Sequence, residues 1–432
     1  MAEVRTLSAQ KNRWLIAIMG TLLQLCLGTV YAWSYFQKPL METYGWSNSQ
    51  VAWVFSLAIC FLGLAAAWGG VNLPKYGPRK LAMTGGLLFG CGYLIGACAL
   101  YIKSLPLLYI GYGVIGGTGL GLGYVTPVAT AAKWFPDKKG FITGMVVMGF
   151  GFGALLMSKI FAPMLLGLTH GNMVMVFAFL GMIFLVLTLT VASFLENPPA
   201  GYTVPVNGNA SAAARHADVP HDAQSGPLSL YLLNKRFLVM WLIFFCNIAA
   251  GIAIIGFQSP MLQDLLKIEN PSLDGAMLAS MGATLIAVTS IFNGLGRFFW
   301  GSMSDRIGRV NVFRIMLATQ LLCYTALIFV KNPIVFSVLF CYILLCYGGG
   351  FGTMPSFVTT VFGSRMMAVV YGAVLTAWSA GGIVGPQAVA VIKDTAGRNA
   401  GMYSFIFAVS LMIAGLAFSF AASDRHFDPE NR

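Results

Sequence analysis

The stretch that decides the fold is Ile291-Phe-Asn-Gly-Leu-Gly-Arg297-Phe-Phe-Trp-Gly-Ser-Met-Ser-Asp305-Arg306-Ile-Gly308-Arg309. It predicts an apolar helix with one arginine in its interior, followed by a basic turn marked by glycine. If Asp305 lies at a membrane surface, Arg297 is eight residues inward, about 12 Å at 1.5 Å per residue. That depth is close to the middle of a hydrocarbon layer about 30 Å thick.

An arginine at this depth needs a partner. Its insertion costs roughly 2.5–3.5 kcal/mol unless it faces water or an opposite charge. No other apolar run holds an arginine in its interior, and none holds a carboxylate that would neutralise Arg297. We therefore expect the partner to be an anion that arrives from outside, and a structural arginine bonded to helix-end carbonyls is the alternative.

The composition indicates a membrane protein. The 432 residues are 58% hydrophobic and only 9% charged, with a mean hydropathy of +0.78, which excludes an ordinary soluble domain. The net charge of +12 comes from short basic clusters between apolar runs, a pattern of membrane topology, so no nucleic-acid partner is expected. The eight cysteines lie in apolar runs without paired or ligand spacing, so neither a metal nor a cofactor is expected.

Twelve apolar runs are long enough to span a bilayer. They lie near 14–36, 49–72, 80–101, 106–132, 140–166, 172–195, 237–262, 275–303, 312–330, 333–361, 366–392 and 400–422. Most of the basic residues between them fall on the side of the N-terminus. This asymmetry predicts a multi-pass protein of the cell (inner) membrane with both termini cytoplasmic, and we expect a monomer.

The chain divides into two similar parts. Residues 196–236 are rich in Pro, Gly, Ala and Ser, which predicts a flexible cytoplasmic linker between six-helix bundles at 1–195 and 237–432. Three pairs of segments recur about 230 residues apart: Gly70–Lys80 with Gly301–Arg309, Gly121–Pro127 with Gly350–Pro355, and Gly144 and Gly153 with Gly372 and Gly381. We predict an all-α membrane protein of two bundles related by a pseudo-two-fold repeat, an architecture typical of secondary transporters.

The turn after the eighth run resembles a known signature. The pattern Gly301-x-x-x-Asp305-Arg306-x-Gly308-Arg309 is similar to the loop motif of the major facilitator superfamily, and the first copy departs from it at Pro74, where an aspartate is usual. The resemblance implies the major facilitator fold and alternating access. It also implies that Asp305, Arg306, Arg309 and Arg79 gate the cytoplasmic side through ion pairs between helices. Anchoring of the membrane surface by these cations is the alternative.

A narrower resemblance points to the oxalate:formate antiporter family, with the monocarboxylate porters as functional relatives. It rests on Tyr31-Ala-Trp-Ser-Tyr-Phe, Tyr44-Gly-Trp-Ser-x-Ser-x-Val-Ala-Trp53, Lys133-Trp-Phe-Pro-Asp-Lys-Lys-Gly140 and Gly149-Phe-Gly-Phe-Gly153. This resemblance implies that Arg297 binds a substrate carboxylate and that Tyr31, Tyr124 and Tyr347 line the same cavity. Ordinary packing between helices is the alternative for the tyrosines, because aromatic residues make up 13% of the chain.

Two departures from the family bear on substrate and coupling. Members that carry dicarboxylates have a second cation, a lysine, in the eleventh helix, and this chain has Trp378 there. One cation matches one carboxylate, because a second buried carboxylate would be left unpaired. We therefore expect a small monocarboxylate such as lactate, pyruvate or formate rather than oxalate, with Trp378 as an apolar wall for a methyl group.

The second departure concerns protons. Animal monocarboxylate porters have an aspartate one turn before the arginine, and here that position is Asn293, which cannot titrate. We place Asn293 at the substrate site. Family resemblance favours proton-coupled symport, while anion exchange of the formate/oxalate type and a transporter-fold receptor remain alternatives. A membrane enzyme would need His, Asp, Glu or Cys residues clustered near one leaflet. The sequence has no such cluster, so we do not expect an enzyme.

Overall fold

The computed structural model describes residues 12–135, 139–199, 202 and 228–427. This part of the chain is helical and contains no strand. Twelve of its helices are long and apolar enough to cross a membrane, which agrees with the prediction. They are α1 (Arg13–Tyr44), α2 (Asn48–Tyr76), α3 (Pro78–Tyr101), α4 (Leu105–Trp134), α5 (Phe141–Leu168), α6 (Met173–Ala192), α7 (Lys235–Glu269), α8 (Gly275–Ile307), α9 (Arg309–Leu327), α10 (Pro333–Gly363), α11 (Val369–Thr395) and α12 (Ala400–Ser419).

Several helices continue beyond the predicted apolar runs. Helix α1 extends to Tyr44 and α7 to Glu269. Lys38, Lys267 and Lys393, which fall just outside the predicted apolar runs, therefore lie on helical extensions. Hydropathy marks where the apolar face ends, whereas a helix ends where its backbone hydrogen bonds end.

The turns that end α2 and α8 have the same shape. Gly77 has φ +76° and ψ 161°, and Gly308 has φ +89° and ψ 150°. A positive φ favours glycine at both positions, because a side chain there is strained. The two turns occupy equivalent places in the predicted repeat, which the backbone geometry supports.

Helix α1 changes its winding near the middle of its length. Residues Gly28–Ala32 form a 3₁₀ segment between two α-helical parts. A β-carbon at Gly28 would collide with the backbone carbonyl of Phe150 on α5, so glycine permits this close crossing. Tyr31 lies in this segment and is buried, with 2% exposure.

The N-terminal bundle (α1–α6) meets the C-terminal bundle (α7–α12) mainly through two helix pairs. Helix α2 packs against α11, and α5 packs against α8. The predicted linker at 196–236 falls largely outside the described residues, which there comprise 196–199, 202 and 228–236. The residues predicted for the site lie on helices at or beside the interface of the bundles.

Candidate functional site

Close packing of α8 against α10 fixes the position of Arg297. A β-carbon at Gly352 on α10 would meet the carbonyl of Arg297, and one at Gly348 would meet the carbonyl of Asn293. Small residues at such crossings let two helix backbones approach closely. The side chain of Arg297 then projects into the interface of the bundles and is fully buried, with 0% exposure.

The guanidinium group is only partly satisfied by the protein. Its Nη1 donates to the carbonyl oxygen of Val147 on α5 at 3.2 Å, and its Nε donates to Oδ1 of Asn293 at 3.4 Å. Its Nη2 is buried without a hydrogen-bond partner. Within the described ranges no carboxylate pairs with Arg297, so its positive charge lacks an opposite charge.

Two phenylalanines flank this charge, one from each bundle. The guanidinium carbon lies 4.9 Å from the ring centre of Phe351 on α10 and 5.5 Å from that of Phe150 on α5. Aromatic faces attract a cation electrostatically, with more strength where water is excluded. The two rings therefore lower the free-energy cost of burying the Arg297 charge, but they do not provide a hydrogen-bond acceptor for Nη2.

The predicted aromatic residues converge on the same place. Trp378 is 0% exposed, and its ring centre lies 4.5 Å from Phe351 and 5.2 Å from Tyr124. The hydroxyls of Tyr31 on α1 and Tyr347 on α10 share a hydrogen bond of 2.7 Å that links the two bundles. The structure thus brings Arg297, Asn293, Trp378 and the three predicted tyrosines into one cluster.

Four donors in this cluster make no hydrogen bond of good geometry. They are Nη2 of Arg297, Nε1 of Trp378 and the hydroxyls of Tyr124 and Tyr371, all of which are buried. The Tyr124 hydroxyl lies close to Tyr371 and Arg297, and Trp378 lies close to Tyr347, but these contacts lack the geometry of a hydrogen bond. Buried polar groups in folded proteins are usually hydrogen-bonded, so four unsatisfied donors at one place need an explanation. A bound anion would supply the missing acceptors.

Sequence analysis did not identify Tyr371 as part of the site. It lies seven residues before Trp378, and residues at this spacing share one face of a helix. Between Tyr371 and Trp378, helix α11 is locally irregular at Leu375. Once Trp378 was assigned to the cavity, this spacing was the signal that would have found Tyr371.

The cluster is closed in this conformation. Arg297, Tyr124 and Trp378 are each 0% exposed, so no space the size of a water molecule adjoins them. A cavity of about 10 Å³ lies beside the cluster and is lined in part by Tyr31, Asn293 and Gln258, which is room for about one water. Entry of a substrate therefore requires the two bundles to move apart.

Three of the four predicted gating residues form ion pairs. Nη2 of Arg309 lies 2.6 Å from Oδ1 of Asp305, joining the end of α8 to the start of α9. Nη2 of Arg79, at the start of α3, lies 3.6 Å from Oε2 of Glu196, the first residue of the predicted linker. Arg306 is exposed. Only the first of these pairs connects two helices, since Glu196 follows the end of α6. Neither pair joins one bundle to the other, and a gating role for these residues stays a prediction.

Comparisons with known proteins agree with this architecture. The family model described as "Major Facilitator Superfamily" matches residues 14–386. The crystal structure of a D-xylose–proton symporter superposes with a TM-score of 0.71 at 13% identity, over 94% of this chain and 96% of that chain, which shows a shared fold.

Three curated relatives cover most of the chain. The uncharacterized MFS-type transporter YhjX of Escherichia coli (strain K12) is 26% identical over 87% of this chain and 87% of its own. The oxalate:formate antiporter of Oxalobacter formigenes is 25% identical over 95% of this chain and 91% of its own. Apicoplast pyruvate carrier 1 of Toxoplasma gondii is 25% identical over 86% of this chain and 82% of its own.

Proposed function

This chain belongs to the major facilitator superfamily, and we propose that it transports small monocarboxylates such as lactate and pyruvate across the membrane. The observation that carries the proposal is Arg297, which is fully buried between the bundles and has no carboxylate partner among the residues described. A carried acid would be its counter-charge. Binding would pair the guanidinium and so remove much of the penalty of an uncompensated buried charge.

The geometry of a carboxylate suits the donors of the cluster. A guanidinium group can donate two parallel hydrogen bonds to the two oxygens of a carboxylate. Nη2 of Arg297 is unpartnered, and Nη1 is held by the carbonyl of Val147. A carboxylate would replace that carbonyl, and the hydroxyls of Tyr124 and Tyr371 would donate to the same anion. The contact between Arg297 and α5 would then pass through the substrate.

Charge and apolar lining favour one carboxylate over two. Trp378, Phe351 and Phe150 form an apolar wall around the single cation. A second ionised carboxylate against this wall would be desolvated without a partner, at several kcal/mol. A methyl group at the same place would gain contact with the rings. Lactate and pyruvate each combine one carboxylate with one methyl group.

We propose proton-coupled symport as the mode of transport. The resemblance to the monocarboxylate porters favours this mode. Asn293 replaces the carboxylate of the animal porters, and Asp305 is paired with Arg309 at the end of α8. Anion exchange needs no proton carrier in the protein, and the antiporter relative makes it the second candidate.

Uptake of labelled lactate into proteoliposomes, measured with and without internal substrate, tests the function. We expect uptake into vesicles without internal substrate that is driven by an inward proton gradient and is inhibited by pyruvate more than by oxalate. Uptake that ignores the proton gradient and requires an internal anion would establish exchange instead. If no carboxylate is taken up in either format, the proposed transport of carboxylates is wrong.

A further inference from the structure

Two apolar grooves open on the side surface of the helix bundles, which would face the lipid. The α2–α4 groove, lined in part by Leu64, Trp68, Tyr76, Lys80, Thr84 and Thr118, has a volume of about 640 Å³. The α7–α10 groove, lined in part by Leu262, Met281, Phe292, Pro333 and Tyr342, has a volume of about 600 Å³. The two grooves are similar in size but differ in charge, because a lysine lines only the first.

The α2–α4 groove lies within one leaflet. It begins at Tyr76, in the last turn of α2, and continues to Phe61. These residues are 15 apart, so the groove extends about 22 Å along the helix at 1.5 Å per residue. That length is about half the thickness of a bilayer counted with its headgroup layers, roughly 40–45 Å. Leu64 and Trp68 are 47% and 49% exposed in it, so the groove faces the lipid.

The surface end of this groove is basic and aromatic. The rings of Trp68 and Tyr76 are stacked with centres 5.9 Å apart, and Nζ of Lys75 lies 5.2 Å from the ring centre of Tyr76. Tryptophan and tyrosine prefer the depth of the lipid headgroups. Lys80 lines the groove and is exposed, and no carboxylate in the described part of the chain pairs with it.

We propose that the α2–α4 groove is a binding site for one anionic phospholipid. One acyl chain lies along Leu64 and Trp68, and the phosphate group of the lipid meets Lys80 and Lys75 at the turn after α2. Basic residues at the ends of membrane helices attract anionic headgroups by about 1 kcal/mol each. The α7–α10 groove has no charged lining residue, so it takes lipid chains without preference for the headgroup.

Native mass spectrometry of the purified full chain tests this site. The protein is released from mixed micelles that hold phosphatidylglycerol and phosphatidylcholine with the same acyl chains. We expect one phosphatidylglycerol to be retained in preference to phosphatidylcholine. Lys80→Ala lowers this preference about fivefold, as expected for the loss of one headgroup cation.

Two further variants separate the groove from general surface charge. Lys235→Ala removes an exposed lysine at the start of α7, on the same side of the membrane but outside the groove, and leaves the preference unchanged. Thr84→Phe fills the groove and lowers retention of the bound lipid. No preference in the wild type, or equal losses in Lys80→Ala and Lys235→Ala, would overturn the proposal. Undiminished retention in Thr84→Phe would also overturn it, because the lipid would then bind elsewhere.

Discussion

The two bundles touch differently at the membrane centre and at the end of the molecule that the sequence predicts to be the outer one, called here the outer end. At the outer end, Asp394 on α11 accepts hydrogen bonds from the backbone N–H of Ser49 at 3.0 Å, from its hydroxyl at 2.7 Å and from Nδ2 of Asn48 at 3.0 Å. Nζ of Lys38 on α1 lies 3.2 Å from Asp264 on α7. At the centre, the charged group is Arg297, and it has backbone and amide acceptors but no carboxylate.

The difference indicates separate roles for the two regions. The outer carboxylates are half exposed or paired with several donors, and exposed ion pairs contribute only about 0.2–1 kcal/mol. The central donors are buried, and each one left unsatisfied costs about 1–3 kcal/mol. We infer that the centre provides the affinity for an anion, whereas the outer contacts adjust how often the bundles separate at that side.

The largest expected effect is that of Arg297→Lys. Lysine keeps the positive charge but loses the planar pair of donors that matches a carboxylate. Loss of one charged hydrogen bond of about 1.5–3 kcal/mol weakens lactate affinity roughly 10- to 150-fold, which the concentration dependence of proteoliposome uptake measures. The exposed Arg425→Lys serves as the control. Near-normal affinity in Arg297→Lys would contradict the role of the guanidinium group.

Trp378→Lys changes which acid the centre accepts. A second cation opposite Arg297 provides a partner for a second carboxylate, so we expect measurable uptake of oxalate and reduced uptake of lactate. Trp378→Phe keeps an apolar ring and should not admit oxalate. Labelled oxalate counterflow in both variants makes the comparison. Equal oxalate uptake by both would mean that the charge at this position does not select the substrate.

Tyr371→Phe tests one unsatisfied donor without altering the shape of the ring. Removing a hydrogen bond of about 0.5–1.5 kcal/mol lowers lactate affinity roughly 2- to 12-fold. Tyr324→Phe is the matched control, because the hydroxyl of Tyr324 on α9 is also buried and unpartnered. If both variants lower lactate affinity equally, the effect comes from the loss of a buried hydroxyl in general and not from the site.

The smallest effect is expected for Asp394→Asn at the outer end. The amide keeps one acceptor but loses the charge at the start of α2, where a helix favours an anion by about 0.3–1 kcal/mol. Spin labels at Lys103 and Lys331 report the distance between the two bundles. Pulsed electron paramagnetic resonance should show a larger fraction of long distances in Asp394→Asn than in the wild type. Asp274→Asn, which caps α8 within its own bundle, should leave the distribution unchanged. A shift of the same size in Asp274→Asn would mean that the contact of Asp394 between the bundles does not specifically limit their separation.

The features that could be predicted from the sequence depend on a single residue or on the hydropathy of one segment. The buried position of Arg297 followed from the length of an apolar helix, and the twelve spans followed from their hydropathy. Tyr371 was missed because the chain holds 16 tyrosines and no local pattern separates one that faces the site. The contact with Val147 involves a backbone carbonyl, which every residue has, and the pairing of Lys38 with Asp264 depends on how distant helices cross.

A structure of the protein determined in the presence of lactate tests the central claim most directly. We predict that the lactate carboxylate lies within hydrogen-bond distance of both terminal nitrogens of Arg297, with the bond from Nη1 to the carbonyl of Val147 broken. The methyl group should lie against Trp378. Lactate bound at another place, with Arg297 still donating to Val147, would contradict the account.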